Sequence, residues 1–306
     1  MPVTQLISIS LTVADLEKTA VFYRDWLGLA VGEVRPEGDP ALNSLLGLTK
    51  DATVRAVDVA IGQQAIKLMA FDPPGRPYPS ERASNDQVFQ HFALVCGDVA
   101  PVWERLKATS PGEITKGAPV LLPPNTGGVT AFKFRDPEGH PLELISFPEG
   151  VGAPVWREIA PRGIRGFDHT AISVMDLKRS IVFYTGLLGF QIGGTSLNQG
   201  PEQDRLDGLA GCEVDVVALL PSRVATPHLE LLHYRTPRAR ALTSVVEAND
   251  VASARQVYRV NDLDALAGRL KAEGVDFVSP GVTALSDGGK AAAIRDPDGH
   301  MIMLME

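Results

Sequence analysis

Residues 13–28 read VADLEKTAVFYRDWLG, and residues 174–189 read VMDLKRSIVFYTGLLG. Val13, Asp15, Leu16, Phe22, Tyr23, Leu27 and Gly28 recur as Val174, Asp176, Leu177, Phe183, Tyr184, Leu188 and Gly189, all at one offset, 174 − 13 = 161. A second pair sets DVAPVWERLKA at 98–108 against DLDALAGRLKA at 262–272. A third sets RDPEGHPLEL at 135–144 against RDPDGHMIML at 295–304. The same signals in the same order make the chain an internal duplication. Between the copies, PEGVGAP at 148–154 is a Pro/Gly stretch suited to a linker. This predicts a first domain at 1–150, a linker at 151–162 and a second domain at 163–306.

Within each copy the hydrophobic period switches in a fixed way. LISISLTV at 6–13 alternates apolar and polar residues and predicts a half-buried strand. Asp15 can cap a helix whose apolar residues run from Lys18 to Leu27, with Gly28 ending it. Residues 54–71 predict two strands joined by a turn around Gly62. The pattern restarts with a strand over 89–96, a cap at Asp98 and a helix over 99–108. Strands near 129–135 and 141–147 come next, with a DPEG turn between them. The strand–helix–strands unit occurs four times, starting near 5, 89, 166 and 254. Few strands are linked by helical crossovers, so the fold class is α+β rather than doubly wound.

The 306 residues leave room for two cores, and 44% hydrophobic with 22% charged residues fits a folded, soluble chain. A net charge of −8 without a Lys/Arg block makes a nucleic-acid partner unexpected. No apolar run approaches the roughly 20 residues of a membrane helix. The start, MPVTQ, has neither a basic nor an apolar leader segment, so a cytoplasmic location is expected. Cys96 and Cys212 stand in different halves, outside any CxxC pair, and read as small buried hydrophobes.

The four βαβββ-like units, the VxDLxx[ST]xxFYxxxLG stretches and the RDPxGH turns together resemble the vicinal oxygen chelate superfamily. That group includes glyoxalase I, epimerases, type I extradiol dioxygenases and bleomycin-resistance proteins. The resemblance implies four modules forming two cup-shaped mixed sheets with flanking helices, and a metal at the floor of a cup. Each module can offer a ligand on its first or its last strand.

In that superfamily the His of the opening strand precedes the helix-capping Asp by seven residues. Here those positions hold Ser8, His91, His169 and Arg255. The later carboxylate stands seven residues after the Asp of the DPxG turn, which gives Glu143 and Met303 in modules two and four. The matching segments AIKLMAF and HLELLHY give Lys67 and Glu230 in modules one and three. Each module thus keeps both candidate ligands or loses both. If modules pair one-with-two and three-with-four, each cup gets one His, one Glu and a cation. If they pair two-with-three and one-with-four, one cup holds His91, Glu143, His169 and Glu230. The other then holds Ser8, Lys67, Arg255 and Met303, whose cations repel a divalent ion. The resemblance to fused two-domain glyoxalases favours the second pairing.

The second pairing implies an enzyme with one divalent metal ion per chain (Ni, Co, Mn, Fe or Zn). Two imidazoles and two carboxylates leave two positions open on a six-coordinate ion, which suits a small-molecule substrate with vicinal oxygens. The implied activity is a metal-dependent glyoxalase-type lyase, isomerase or epimerase. It acts by proton abstraction next to a carbonyl, through a metal-bound enediolate, with Glu143 and Glu230 as catalytic carboxylates. The alternatives are an extradiol-type ring-cleaving dioxygenase and a non-enzymatic binding protein of the bleomycin-resistance type. The site needs no second chain, so a self-sufficient monomer is compatible with it. His228 shares a strand face with Glu230 and is a candidate substrate contact. Arg76 and Tyr78, in the loop DPPGRPYP at 72–79, either touch substrate or belong to a rigid surface connection. The polar stretch from Asn198 to Asp207 is expected to line the same cup. His140, His233 and His300 read as structural, and Tyr23 and Tyr184 as core.

Overall fold

The computed structural model describes residues 3–37, 39–158, 163–221 and 224–306. The four modules open with strands Val3–Thr12, Gln90–Cys96, Ile164–Ser173 and Ala254–Val260. These strands are buried along most of their length rather than on one face. The reason is topological: each lies between two neighbours at the centre of a sheet, with apolar residues packed on both faces.

Two nine-stranded sheets result. In the first, Ala254–Val260 pairs antiparallel with Val3–Thr12, joining module four to module one. In the second, Gln90–Cys96 pairs antiparallel with Ile164–Ser173, joining module two to module three. Each opening strand then pairs in parallel with a later strand of its own module: Gln64–Asp72, Pro141–Ser146, His228–Thr236 or Met301–Met305. Of the two pairings weighed from the sequence, the chain adopts the favoured one, two-with-three and one-with-four. Neither copy of the repeat closes a sheet by itself.

The recurring motifs hold the sheets together. Tyr23, from the first helix, donates to Asp136 of the DPEG turn at 3.2 Å. Tyr184 donates to Asp296 of the DPDG turn at 3.0 Å. The FY motif and the DPxG motif of one sequence copy are therefore partners across the two sheets. Both tyrosines are fully buried, so the buried hydroxyl needs that acceptor. Burial and the adjacent carboxylate hold both phenols well above their usual pKa, so they remain donors. The helix expected over 18–27 is an α-helix only from Leu16 to Val21, capped by Asp15, and continues as a π turn over Phe22–Trp26. The same switch occurs after Leu177–Ile181 in the second copy.

The stretch assigned to the linker is partly ordered structure. Val155–Glu158 forms a helical turn and buries Trp156. Residues 159–162 of that stretch lie outside the described residues. The predicted hairpin is present as Thr53–Ile61 and Gln64–Asp72, and its turn docks on the opening strand of module three. Gln64 both donates to the carbonyl of Phe167, at 2.9 Å, and accepts from its N–H, at 2.5 Å. Gly62, at φ +62°, lies against the backbone of Arg165, where a Cβ would overlap the carbonyl oxygen. Gly62→Ala should therefore cost at least ~1–3 kcal/mol from the left-handed backbone alone. A shift in the denaturation midpoint measures it, and an unchanged midpoint refutes the docking argument.

Candidate metal centre

Module two and module three each send one imidazole and one carboxylate to the same face of the second sheet. His91 and Glu143 lie on parallel neighbours, as do His169 and Glu230, and the two pairs meet across the central seam. His91 Nε2 is 3.1 Å from Glu143 Oε2. His169 Nε2 is 3.5 Å from the same oxygen and 3.6 Å from Glu230 Oε2. His91, Glu143 and His169 converge tightly enough for one ligand atom of each to face a common point. Glu230 stands one step further out, toward His228, whose Nε2 is 3.6 Å from Glu230 Oε1. The floor opens into a cavity of about 750 Å³, in which Asn198, Gln203 and Asp207 also face the space.

Electrostatics separate the four groups. Burial would raise the pKa of Glu143, but the Lys133 charge and the hydrogen bonds with His169 and His91 hold it well below the usual carboxylate range. Burial likewise opposes the lowered pKa of Glu230, where the charges of His169 and His228 win. Burial pulls His91 down and disfavours its charged form; its Nε2 donates to the Glu143 carboxylate, a proton that a bound cation would displace. His169 is desolvated too, but Glu230, Asp168 and Glu143 outweigh that and hold it well above its usual range. The set is buried save for the partly exposed Glu230, anionic in sum and rich in borderline nitrogen donors. That chemistry fits a divalent cation, which would take the place of the proton on His169.

Two contributors were not read from the sequence. Lys133 faces Glu143 across antiparallel strands and is buried, with its Nζ 2.7 Å from Asp207 Oδ1. Asp207, at the end of helix Pro201–Asp207, also accepts from Gln203 at 2.7 Å and from Tyr234 at 3.0 Å. The strand register would have revealed Lys133, because it shares the face of Glu143. Asp168 could not be found that way. Alternation puts neighbours on opposite faces, but the opening strand of module three is irregular between Phe167 and His169. That bulge brings the Asp168 carboxylate within 3.3 Å of His169 Nδ1. Trp156 donates to Asp168 at 2.6 Å and Thr226 at 3.0 Å. Despite burial, the hydrogen bond from His169 and its positive neighbours hold Asp168 down at about 2.

Arg76 and Tyr78, expected as substrate contacts, do not line this cavity. Arg76 is clamped by Asp250 and Ser244, because its loop is tied by backbone hydrogen bonds to residues 249–251 of the other copy. Tyr78 is buried edge-on against His140, between Arg82 and Arg135. Of the two readings of that loop, the rigid connection is the one present. His228 does line the cavity. His140 and His300 bind backbone carbonyls of Val251 and Ser173 and serve the turns.

The profile of the Glyoxalase/Bleomycin resistance protein/Dioxygenase superfamily matches residues 5–144 and 166–304. The chain belongs to that superfamily. A curated relative, a lactoylglutathione lyase of Arabidopsis thaliana, is 24% identical over 96% of this chain and 88% of its own. Among solved structures, glyoxalase I from Zea mays superposes with a TM-score of 0.61 at 18% identity, covering 99% of this chain and 92% of that one. A dioxygenase-like protein from Bacillus subtilis gives 0.60 at 16% identity, over 99% and 85%. At those identities the superpositions speak for the fold. No helix of the described residues is long and apolar enough to cross a membrane.

Proposed function

We propose that the chain is a metal-dependent lyase or isomerase of glyoxalase type, acting on a small molecule with a carbonyl beside a C–H bond. The observation that carries this reading is the meeting of His91, Glu143, His169 and Glu230 from two modules in one cavity. His91, His169 and Glu143 hold one divalent ion per chain. That ion supplies Lewis-acid polarisation of the substrate oxygen. Glu143 is pinned between two imidazoles, whereas Glu230 keeps 22% of its side chain exposed and faces the open cavity. Glu230 therefore removes the proton and returns it, while Glu143 adds negative charge at the floor. His228, beside Glu230, contacts the substrate. The tests are metal analysis of protein purified without chelator, and solvent-deuterium exchange into α-hydroxycarbonyl compounds. About one ion per chain and exchange that depends on it support the reading. A chain that is metal-free and exchange-inactive overturns it.

The relative's name adds a substrate class, since it is called a lactoylglutathione lyase; a glutathione adduct belongs in the panel. A second reading draws on one observation: His91, Glu143 and His169 form a two-histidine, one-carboxylate set, the pattern of non-haem iron oxygenases. Oxygen uptake with catechols in place of proton exchange would favour it.

The domain assignment becomes a proposal about assembly. Residues 1–150 and 163–306 each contain two modules that do not pair with one another. Neither half alone should hold the metal tightly, and mixing them should restore it. Asp168 and Trp156 add a prediction about the ligand His169. A carboxylate on Nδ1 fixes the tautomer that points Nε2 at the metal. Asp168→Asn and Trp156→Phe should each lower metal affinity by roughly 10–100-fold in a competition titration. Unchanged affinity in both removes Asp168 from the centre.

A further inference from the structure

The sheet built by modules four and one also encloses a cavity, of about 580 Å³. Its positions equivalent to the metal donors are Ser8, Lys67, Arg255 and Met303, yet the space above them is open. Its walls combine a largely apolar lining with a few charged residues, and they are unusual in composition. The chain has six methionines. Three of them, Met69, Met303 and Met305, line this cavity, and none lines the larger one. Unbranched, polarizable methionines repack around varied apolar shapes and are over-used at adaptable binding surfaces. Helix Pro40–Leu45 covers the space, presenting Leu42 and Leu45. Its capping residue Asp39 accepts from Ser286 at 3.0 Å, so the cover is fastened to module four. The volume lies within the roughly 300–1,000 Å³ of small-molecule sites.

Charge narrows the ligand. The charge of Lys67 is already paired with Glu37, at 2.6 Å. Asp39 and Asp287 also stand at the walls, which disfavours an anion. Behind Ser10 and Met69 lies Arg255, fully buried and hydrogen-bonded to hydroxyls and to the carbonyl of Ala248, with no carboxylate ion-paired to it among the described residues. Its uncompensated charge disfavours a cation at the floor. A charged ligand would also have to displace the Lys67–Glu37 pair or remain unpaired in an apolar site. The pair leaves Lys67 N–H donors free for one oxygen.

We infer that this second cup is a binding site, separate from the metal centre, for an uncharged apolar or aromatic molecule carrying a single hydroxyl or carbonyl oxygen. The test is a titration of the full chain, labelled with ¹³C-methyl methionine, with 2-naphthol. The methyl resonances of Met69, Met303 and Met305 should shift saturably, while that of Met175, outside the cavity, stays in place. 2-Naphthoate and 2-naphthylmethylammonium should bind at least tenfold more weakly. Ser8→Phe, which fills the cup from its floor, should abolish the shifts; Leu42→Trp, in the cover, does the same job if Ser8→Phe fails to fold. No saturable shift overturns the site, as do shifts that survive filling in a folded variant. Equal or tighter binding of either ion overturns the ligand class.

Discussion

Replacing Glu230 by Gln should cut turnover by roughly 10²–10⁴-fold while the protein keeps its metal. Glutamine preserves size and one oxygen but removes the basicity on which proton abstraction depends. Glu230 stands at 3.6 Å from His169 and is not part of the tightest donor trio, so its loss leaves that trio intact. Glu143→Gln should behave differently. Its Oε2 is shared between His91 and His169, so metal affinity and turnover should fall together. His91→Ala should remove metal most severely, since an imidazole donor disappears with nothing of similar reach behind it. The measurements are metal content by competition titration and C–H exchange with solvent deuterium. Near-normal exchange in a metal-loaded Glu230→Gln chain would rule out its role as base. Oxygen uptake with catechols would then be the next assay.

How far the sequence carries depends on whether a residue's neighbours are local. At Asp98 the expected cap is displaced, Val99 taking the cap position before Ala100–Lys107. The repeat, the helix caps at Asp15, Asp176 and Asp262 and, through the family resemblance, the His/Glu positions were legible because each obeys a fixed count along one module. The pairing of modules was not. It rests on two antiparallel seams, Val3–Thr12 with Ala254–Val260 and Gln90–Cys96 with Ile164–Ser173, whose partners lie in different copies. Composition favours neither pairing; the complementary loss of donors and the resemblance to fused two-domain glyoxalases are what pointed to the one adopted. The π turns escaped because Phe22–Trp26 and Val182–Leu187 keep ordinary helical apolar spacing. What fixes them is tertiary: the hydroxyls of Tyr23 and Tyr184 must reach Asp136 and Asp296. Asp168 escaped because a bulge breaks alternation at that residue. Arg76 was misplaced because a proline-rich loop looks the same in sequence whether it covers a site or braces a neighbour. Asp250, 174 positions away, decides that.

Arg255 occupies the module-four position that corresponds to a ligand histidine in modules two and three, and it carries the second large effect. Its guanidinium is fully buried and hydrogen-bonds Ser10, Thr12, Ser253 and the carbonyl of Ala248. Burial alone pulls its pKa down to about 9, which still leaves it charged at neutral pH. Two opposing effects meet here: a desolvated cation costs free energy, while several charge-assisted hydrogen bonds and a filled volume at the centre of the sheet return it. Arg255→Ala removes both favourable contributions and leaves a cavity, so it should destabilise by about 3–5 kcal/mol. Arg255→Met keeps most of the volume and discards the charge. Ser10 can still donate to Met69 and Thr12 to Ala248, so few groups are orphaned. It should cost less than half as much, because exchanging a buried ion for an apolar side chain of similar size is often close to neutral. The depressed pKa sets the sign with pH. Between about 9 and the usual guanidinium range the unfolded chain binds more protons than the folded one, so the contribution of Arg255 to stability rises with pH. Denaturant midpoints of wild type and Arg255→Met should therefore diverge in favour of wild type as pH climbs past about 9. Equal losses for Met and Ala would mean that hydrogen bonding, not volume, is what Arg255 supplies to the seam between modules one and four.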